Sequence, residues 1–185
     1  MTTSLLDKAI TLSTAAHSGT TRKGTSLPYI VHPMEAVSIV ATMTDDQEML
    51  AAAALHDVVE DCGVTISELE KEFGERVASL VAADSNAPRK EGDTWRSRKQ
   101  AALDRLAAAP LDAKTVAMGD KLSNLRAIDI DYQKEGESLW RRFKAPNGRE
   151  DIEWYYRGLA KSLSALQGTA AYDEFTQRIE SAFKQ

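Results

Sequence analysis

Apolar residues recur at close to helical spacing along almost the whole chain, and alternating β-branched runs bounded by turns are nearly absent. Such a pattern buries stripes of helices and not faces of sheets, so the expected fold is all-α. The periodicity places about ten helices, at roughly 4–17, 33–43, 46–60, 67–73, 75–83, 94–108, 112–131, 138–143, 150–166 and 171–183. Pro33 falls in a first turn, where proline is tolerated. Thr65 and Glu68 have capping-box spacing, and Gly63 and Gly74 punctuate the same region. Two polar segments read as surface loops and candidate ligand walls: 18–28, and 84–93 with Asn86, Pro88, Arg89, Lys90 and Gly92. Without internal repeats or low-complexity tracts, residues 1–185 are expected to form one helical domain.

A chain of this length buries enough core to fold without disulfides. The single cysteine, Cys62, excludes an internal disulfide and a Cys-rich zinc site, and it fits a reducing cytoplasm. No apolar run approaches the ~18 residues of a membrane span. Leu5, Leu6, Ala9, Ile10 and Leu12 recur as a helix, unlike the continuous apolar core of a secretory signal. A net charge of −5 argues against broad binding to nucleic acid or an anionic membrane, which needs a basic field. A phosphate-rich small ligand needs only a local basic pocket, and several Lys/Arg clusters could supply one.

The run from Leu55 to Asp61 ends a strongly apolar helical stretch with His56, Asp57, Glu60 and Asp61. A helix apolar nearly all round is buried, so titratable groups at its end must be paired, hydrated or metal-bound. Alone, a His-Asp pair reads as an exposed helix end. His32, before Pro33, and Asp120, inside the apolar stretch 116–128, add two further awkwardly placed groups. A core histidine and a capping or ion-paired aspartate would account for them singly; together, the four offer the nitrogen and oxygen ligands that a divalent ion takes.

The ordered set His32, His56-Asp57, Asp120 is similar to the H…HD…D signature of the HD phosphohydrolase superfamily, across residues 7–126. Arg22-Lys23, the run Pro28-Tyr29-Ile30-Val31-His32-Pro33, the run 55–61 and the run from Asp120 to Arg126 resemble the hydrolase domain of RelA/SpoT homologues. The likeness is greatest to the stand-alone small alarmone hydrolases. It implies a helical HD fold in which His32, His56, Asp57 and Asp120 hold one divalent ion, commonly Mn2+. It also implies that Glu60 and Asp61 orient or deprotonate water, that Arg22 and Lys23 contact the nucleotide, and that Asn124 meets its sugar or base. The implied reaction removes the 3′-pyrophosphate of guanosine tetra- and pentaphosphate, as in the stringent response. Adenosine alarmones, the 2′-phosphate of NADPH, another nucleotide phosphatase activity and a non-catalytic alarmone sensor stay open alternatives.

Some positions depart from that pattern. Ser123 stands where long bifunctional relatives often carry histidine, Ala127 where a threonine lining the nucleoside pocket is frequent, and Cys62 where a hydroxyl residue is common. No synthetase or regulatory domain is expected after the last helix. Arg96, Arg98, Lys99, Arg141, Arg142, Lys144 and Arg149 are candidate phosphate contacts beside the usual solvated role of such charges. His17 matches no ligand position of the family. Trp140, Trp154, Tyr155 and Tyr156 are expected to anchor the terminal helices in the core.

Overall fold

The computed structural model describes residues 4–85 and 91–183, so Asn86, Pro88, Arg89 and Lys90 of the second expected loop lie outside the described residues. The described residues form ten α-helices: α1 (Leu5–Ala16), α2 (Val31–Val40), α3 (Gln47–Leu55), α4 (Val58–Cys62), α5 (Ile66–Phe73), α6 (Glu75–Asp84), α7 (Trp95–Ala108), α8 (Leu111–Glu135), α9 (Arg149–Ser162) and α10 (Ala170–Ala182). Two 3-10 segments, Gly136–Arg142 and Ser164–Leu166, complete the path. Extended pairing among the described residues is limited to one bridge, Thr21 with Pro28, which closes the first polar loop. None of the described helices is long and apolar enough to cross a membrane.

Helix starts follow local chemistry. Ser4 and Asp7, Thr65 and Glu68, and Thr94 and Ser97 form reciprocal capping boxes, while the Asp46 carboxylate accepts from the first amides of α3. Gly63 ends α4 at φ 74°, a left-handed conformation that glycine adopts without steric cost.

Several expected boundaries change, α8 running on to Glu135 and α2 ending at Val40 among them. The helix expected over 46–60 is two helices, α3 and α4, broken at His56 and Asp57. The apolar periodicity continues across that break, which is why spacing alone conceals it. Residues 138–142 belong to a 3-10 segment instead of an α-helix, and the helix expected to reach 166 stops at Ser162.

Two apolar cores share α8. One gathers Ala9, Ala51, Ala52, Ala53, Ala54, Leu55, Leu69, Val77 and Val81 from the first six helices. The other gathers Trp140, Tyr156, Leu159, Tyr172, Phe175 and Phe183 with the middle of α8. The long helix packs on α2, α3 and α6 on one side and on α10 on the other. At Gly119 the approach of α2 is so close that a Cβ would lie 2.8 Å from the Ala36 carbonyl oxygen and 2.8 Å from Val40 Cγ2. Glycine is therefore required there by packing, and the contact seats His32 of α2 beside Asp120 of α8.

Candidate metal centre

The break between α3 and α4 turns adjacent residues toward one point. His56 is held by its Nδ1–H, which donates to the Ala53 carbonyl oxygen at 2.8 Å, since a carbonyl only accepts. Its Nε2 is therefore the nitrogen turned to the centre, 3.0 Å from His32 Nε2 and 3.0 Å from Asp57 Oδ2. Asp120 Oδ1 lies 3.2 Å from His32 Nε2 and 3.6 Å from His56 Nε2. Both imidazoles are buried, at 2% exposure each. Ligand atoms of His32, His56 and Asp57 all fall within 4.8 Å of one another.

Two imidazole nitrogens and two carboxylates converging in a buried space repel one another unless a cation lies among them. In the ion-free protein a proton serves. Burial drives the His56 pKa down, but the carboxylates of Asp57 and Asp120 outweigh it and hold the value at about 10. Burial raises Asp57 and Asp120 while the neighbouring histidines, and Lys121 for Asp120, pull both well below the usual carboxylate range. Two nitrogens and two carboxylates are a donor set suited to a divalent ion, and the four residues can hold one.

Surrounding groups keep these ligands in place. Tyr29 donates its hydroxyl to Asp57 Oδ2 at 2.7 Å, and burial, then Asp57, push its pKa far up, so it remains a donor. The Lys121 ammonium bridges Asp120 and Asp84, reaching Asp84 Oδ1 at 3.0 Å. Burial pushes the Asp84 carboxyl up while Lys121 opposes it. His17 stacks on Tyr29 with ring centroids 4.6 Å apart, and Cys62 Sγ lies 3.2 Å from its Nδ1.

The cluster forms the polar end of a cavity of about 330 Å³. Glu60 and Asn124 line it beside His56, Asp57 and Asp120, and Lys99, Arg105, Lys121 and Lys144 supply positive charge. Its lining is also aromatic, with Trp95, Phe143, Tyr155 and Tyr156. Tyr156 thus serves both core and cavity, whereas the sequence pointed only to the core. Asp61 is exposed on α4 and is not among the residues that line the cavity.

Arg22 donates to Asn124 Oδ1 at 3.0 Å and lies over the Tyr29 ring, so these two expected substrate contacts meet at the cavity rim. Lys23 is exposed, and its ammonium donates to the Arg142 carbonyl. Of the basic residues that the sequence offered as phosphate contacts, Lys99 and Lys144 line the cavity. Arg96 pairs with Asp151, Arg142 with Asp131 and Glu135, and Arg149 with Glu137. Ser123 is 1% exposed and bonds His32, away from the cavity wall. Sequence reasoning missed Tyr29, Asp84 and Lys121 as supports; Tyr29 and Lys121 lay inside quoted motifs, but nothing local signalled Asp84.

A family model described as HD domain matches residues 9–149. The chain is 33% identical over 158 residues to guanosine-3′,5′-bis(diphosphate) 3′-pyrophosphohydrolase MESH1 of Danio rerio, covering 82% of this chain and 78% of that protein. It is 37% identical over 119 residues to guanosine-3′,5′-bis(diphosphate) 3′-pyrophosphohydrolase of Vibrio cholerae, covering 61% of this chain and 16% of the relative. The chain thus spans less than a fifth of the length of the long relatives it matches, 16% and 18% for the Vibrio cholerae protein and Escherichia coli SpoT. Among solved structures, lmo0812 from Listeria monocytogenes superposes with a TM-score of 0.73 at 28% identity, covering 83% of this chain and 99% of that one. A metazoan ortholog of SpoT superposes with a TM-score of 0.76 at 24% identity, over 97% of this chain and 96% of that one, and shares the fold. Its four converging side chains, its helical architecture and these likenesses agree: the chain belongs to the HD-domain family, among the homologues of the guanosine-3′,5′-bis(diphosphate) 3′-pyrophosphohydrolases.

Proposed function

We propose that this chain hydrolyses the 3′-pyrophosphate of guanosine tetra- and pentaphosphate, yielding GDP or GTP and pyrophosphate, with Mn2+ as its ion. The observation that carries this reading is the convergence of His32, His56, Asp57 and Asp120 at one end of a cavity that also presents Lys99, Lys121 and Lys144. A nucleotide with two oligophosphate arms needs cations beyond one metal ion, and this cavity offers them. The Danio rerio relative named for this reaction has comparable length, which supports carrying the activity over.

When bound, a divalent ion supplies Lewis acidity to phosphoryl oxygens and lowers the pKa of water toward neutrality. Mixed imidazole and carboxylate donors suit Mn2+. Glu60, lining the cavity, accepts the proton of the attacking water, Asp61 beside it on α4 orients that water, and the Tyr29 hydroxyl orients Asp57. Arg22 and Asn124, already bonded to each other, hold the nucleoside: the planar guanidinium stacks on the base while the amide meets sugar or base. Lys23 anchors the loop that carries Arg22. The P–O bond to the 3′ ribose oxygen breaks, and pyrophosphate leaves intact.

The same reading treats residues 1–185 as one HD domain acting in the cytoplasm, in keeping with the shared α8 and the single cysteine. The test is a nucleotide panel with Mn2+, resolving pyrophosphate from orthophosphate. Conversion of ppGpp to GDP with stoichiometric pyrophosphate is expected. Orthophosphate as the sole phosphorus product would reassign the chain to a different nucleotide phosphatase, and binding without turnover would make it an alarmone sensor.

A further inference from the structure

Behind His32, on the side away from the cavity, lies a buried polar chain that the reaction does not consume. Ser123 Oγ sits 2.8 Å from His32 Nδ1 and 2.6 Å from Glu35 Oε2, with Ser123 only 1% exposed. A hydroxyl has one proton to give. The Glu35 carboxylate faces Arg126, whose guanidinium donates to Glu35 Oε1 at 3.0 Å and is gripped from α10 by Glu174 at 2.8 and 2.6 Å. That carboxylate accepts and does not donate, so the serine proton must point at Glu35. Ser123 Oγ is then left to accept, and the group it accepts from is the Nδ1–H of His32. The opposite arrangement would set serine lone pairs against the carboxylate at 2.6 Å and place a proton on the His32 Nε2, which faces His56, Asp57 and Asp120.

We propose that Ser123 and Glu35 are positioning residues that fix His32 as the tautomer with Nε2 bare, so that it can act as a metal ligand. The Nδ1–H of His32 donates to Ser123, whose hydroxyl donates to Glu35, and the Arg126–Glu174 pair holds Glu35 from the C-terminal helix. His56 reaches the same tautomer through the Ala53 carbonyl, so the two imidazoles are oriented by different means, one by backbone and one by side chains. Partners of this kind raise ligand basicity and hold the ring in register, and their loss typically costs about 10–100-fold in metal affinity.

The inference rests on the reading of His32, His56, Asp57 and Asp120 as a metal site, and calorimetric titration with Mn2+ separates the two. Wild-type protein that takes up no Mn2+ would overturn the metal site itself. With wild-type binding established, Ser123→Ala is expected to weaken Mn2+ affinity by about 10–100-fold. Its kcat should return when Mn2+ is raised to saturation, a recovery that a merely structural defect would not show. Ser123→Thr, which keeps the hydroxyl, should recover affinity, and Glu35→Gln should fall between Ser123→Ala and wild type. Wild-type affinity in Ser123→Ala would overturn the proposal. Should that variant not fold, nitrogen NMR of histidine-labelled, Zn2+-loaded wild-type protein decides. A slowly exchanging Nδ1–H on His32 supports the proposal, and a proton on Nε2 overturns it.

Discussion

The two cores on either side of α8 are made of different residues and serve the cavity in different ways. The first is small and smooth: Ala51, Ala52, Ala53 and Ala54 in a row on α3, with Gly119 meeting α2 backbone to backbone. The second is bulky and aromatic: Trp140, Tyr156, Tyr172, Phe175 and Phe183. Small residues let helix axes approach closely and leave little rotamer freedom, so the first core places His32, His56 and Asp57 on rigid backbone. Large rings fill volume and shape a wall, and the second core supplies aromatic lining to the cavity. Position is the product of one half and shape the product of the other.

If that division holds, damage to the two halves should separate chemically. The largest effect is expected at the ligands: His56→Ala and Asp120→Ala should lose the ion and turnover together, and elemental analysis showing full occupancy in either would remove that residue from the site. Next comes Glu60→Gln, which should keep the ion but lose about 10²–10⁴-fold in turnover, measured at saturating substrate and Mn2+. Near-normal turnover there would assign the proton transfer elsewhere.

The cores can then be set against each other directly. Phe175→Ala should cost roughly 3–5 kcal/mol of stability by leaving a cavity in the aromatic half, with Mn2+ affinity nearly unchanged in the protein that remains folded. Gly119→Ala should cost less, about 1–3 kcal/mol from overpacking, yet weaken Mn2+ binding by pushing α2 and His32 away from α8 and Asp120. Denaturant melts paired with Mn2+ titrations read both, and equal losses of affinity would erase the distinction.

Acidity sharpens it further. The ion-free His56 has a pKa raised to about 10 from an ordinary 6.5, so its contribution to stability is fully present below pH 6.5 and fades as pH rises through 10. A divalent ion must displace that same proton. Apparent Mn2+ affinity should therefore climb with pH by up to about tenfold per unit across this window, as calorimetry in buffers of different pH would show. A flat profile would mean that His56 carries no proton before the ion arrives. The smallest effect is expected at the rim, where Arg22→Ala should raise KM by about tenfold with kcat little changed, because stacking on a base persists from ground to transition state. Steady-state kinetics that showed a kcat loss instead would place Arg22 in the chemistry.

Much of the fold was legible in the chain. Capping residues such as Thr65 and Glu68 act within one turn, so local spacing announced helix starts that the structure repeats. The break at His56-Asp57 was not legible, because apolar residues continue from Leu55 to Val58 and Val59 across it and no glycine or proline marks the junction. Asp84 was invisible for a different reason: it reaches the centre only through Lys121, 37 positions away in the chain. The basic clusters could not be sorted from the chain alone, since charge in sequence does not reveal whether a guanidinium faces a cavity or, like Arg142, a neighbouring carboxylate.

The sequence by itself determined the all-α architecture, which depends on residue type and short-range spacing, and its resemblance to the HD signature singled out the four groups that converge. Tertiary structure alone decided which nitrogen of each histidine faces the centre. It likewise decided that Ser123 serves His32 and not the nucleoside pocket, and that Lys99 and Lys144 line the cavity while Arg96 and Arg149 do not. Those outcomes depend on which helices touch across α8, and the partners that orient a side chain there lie dozens of residues away along the chain.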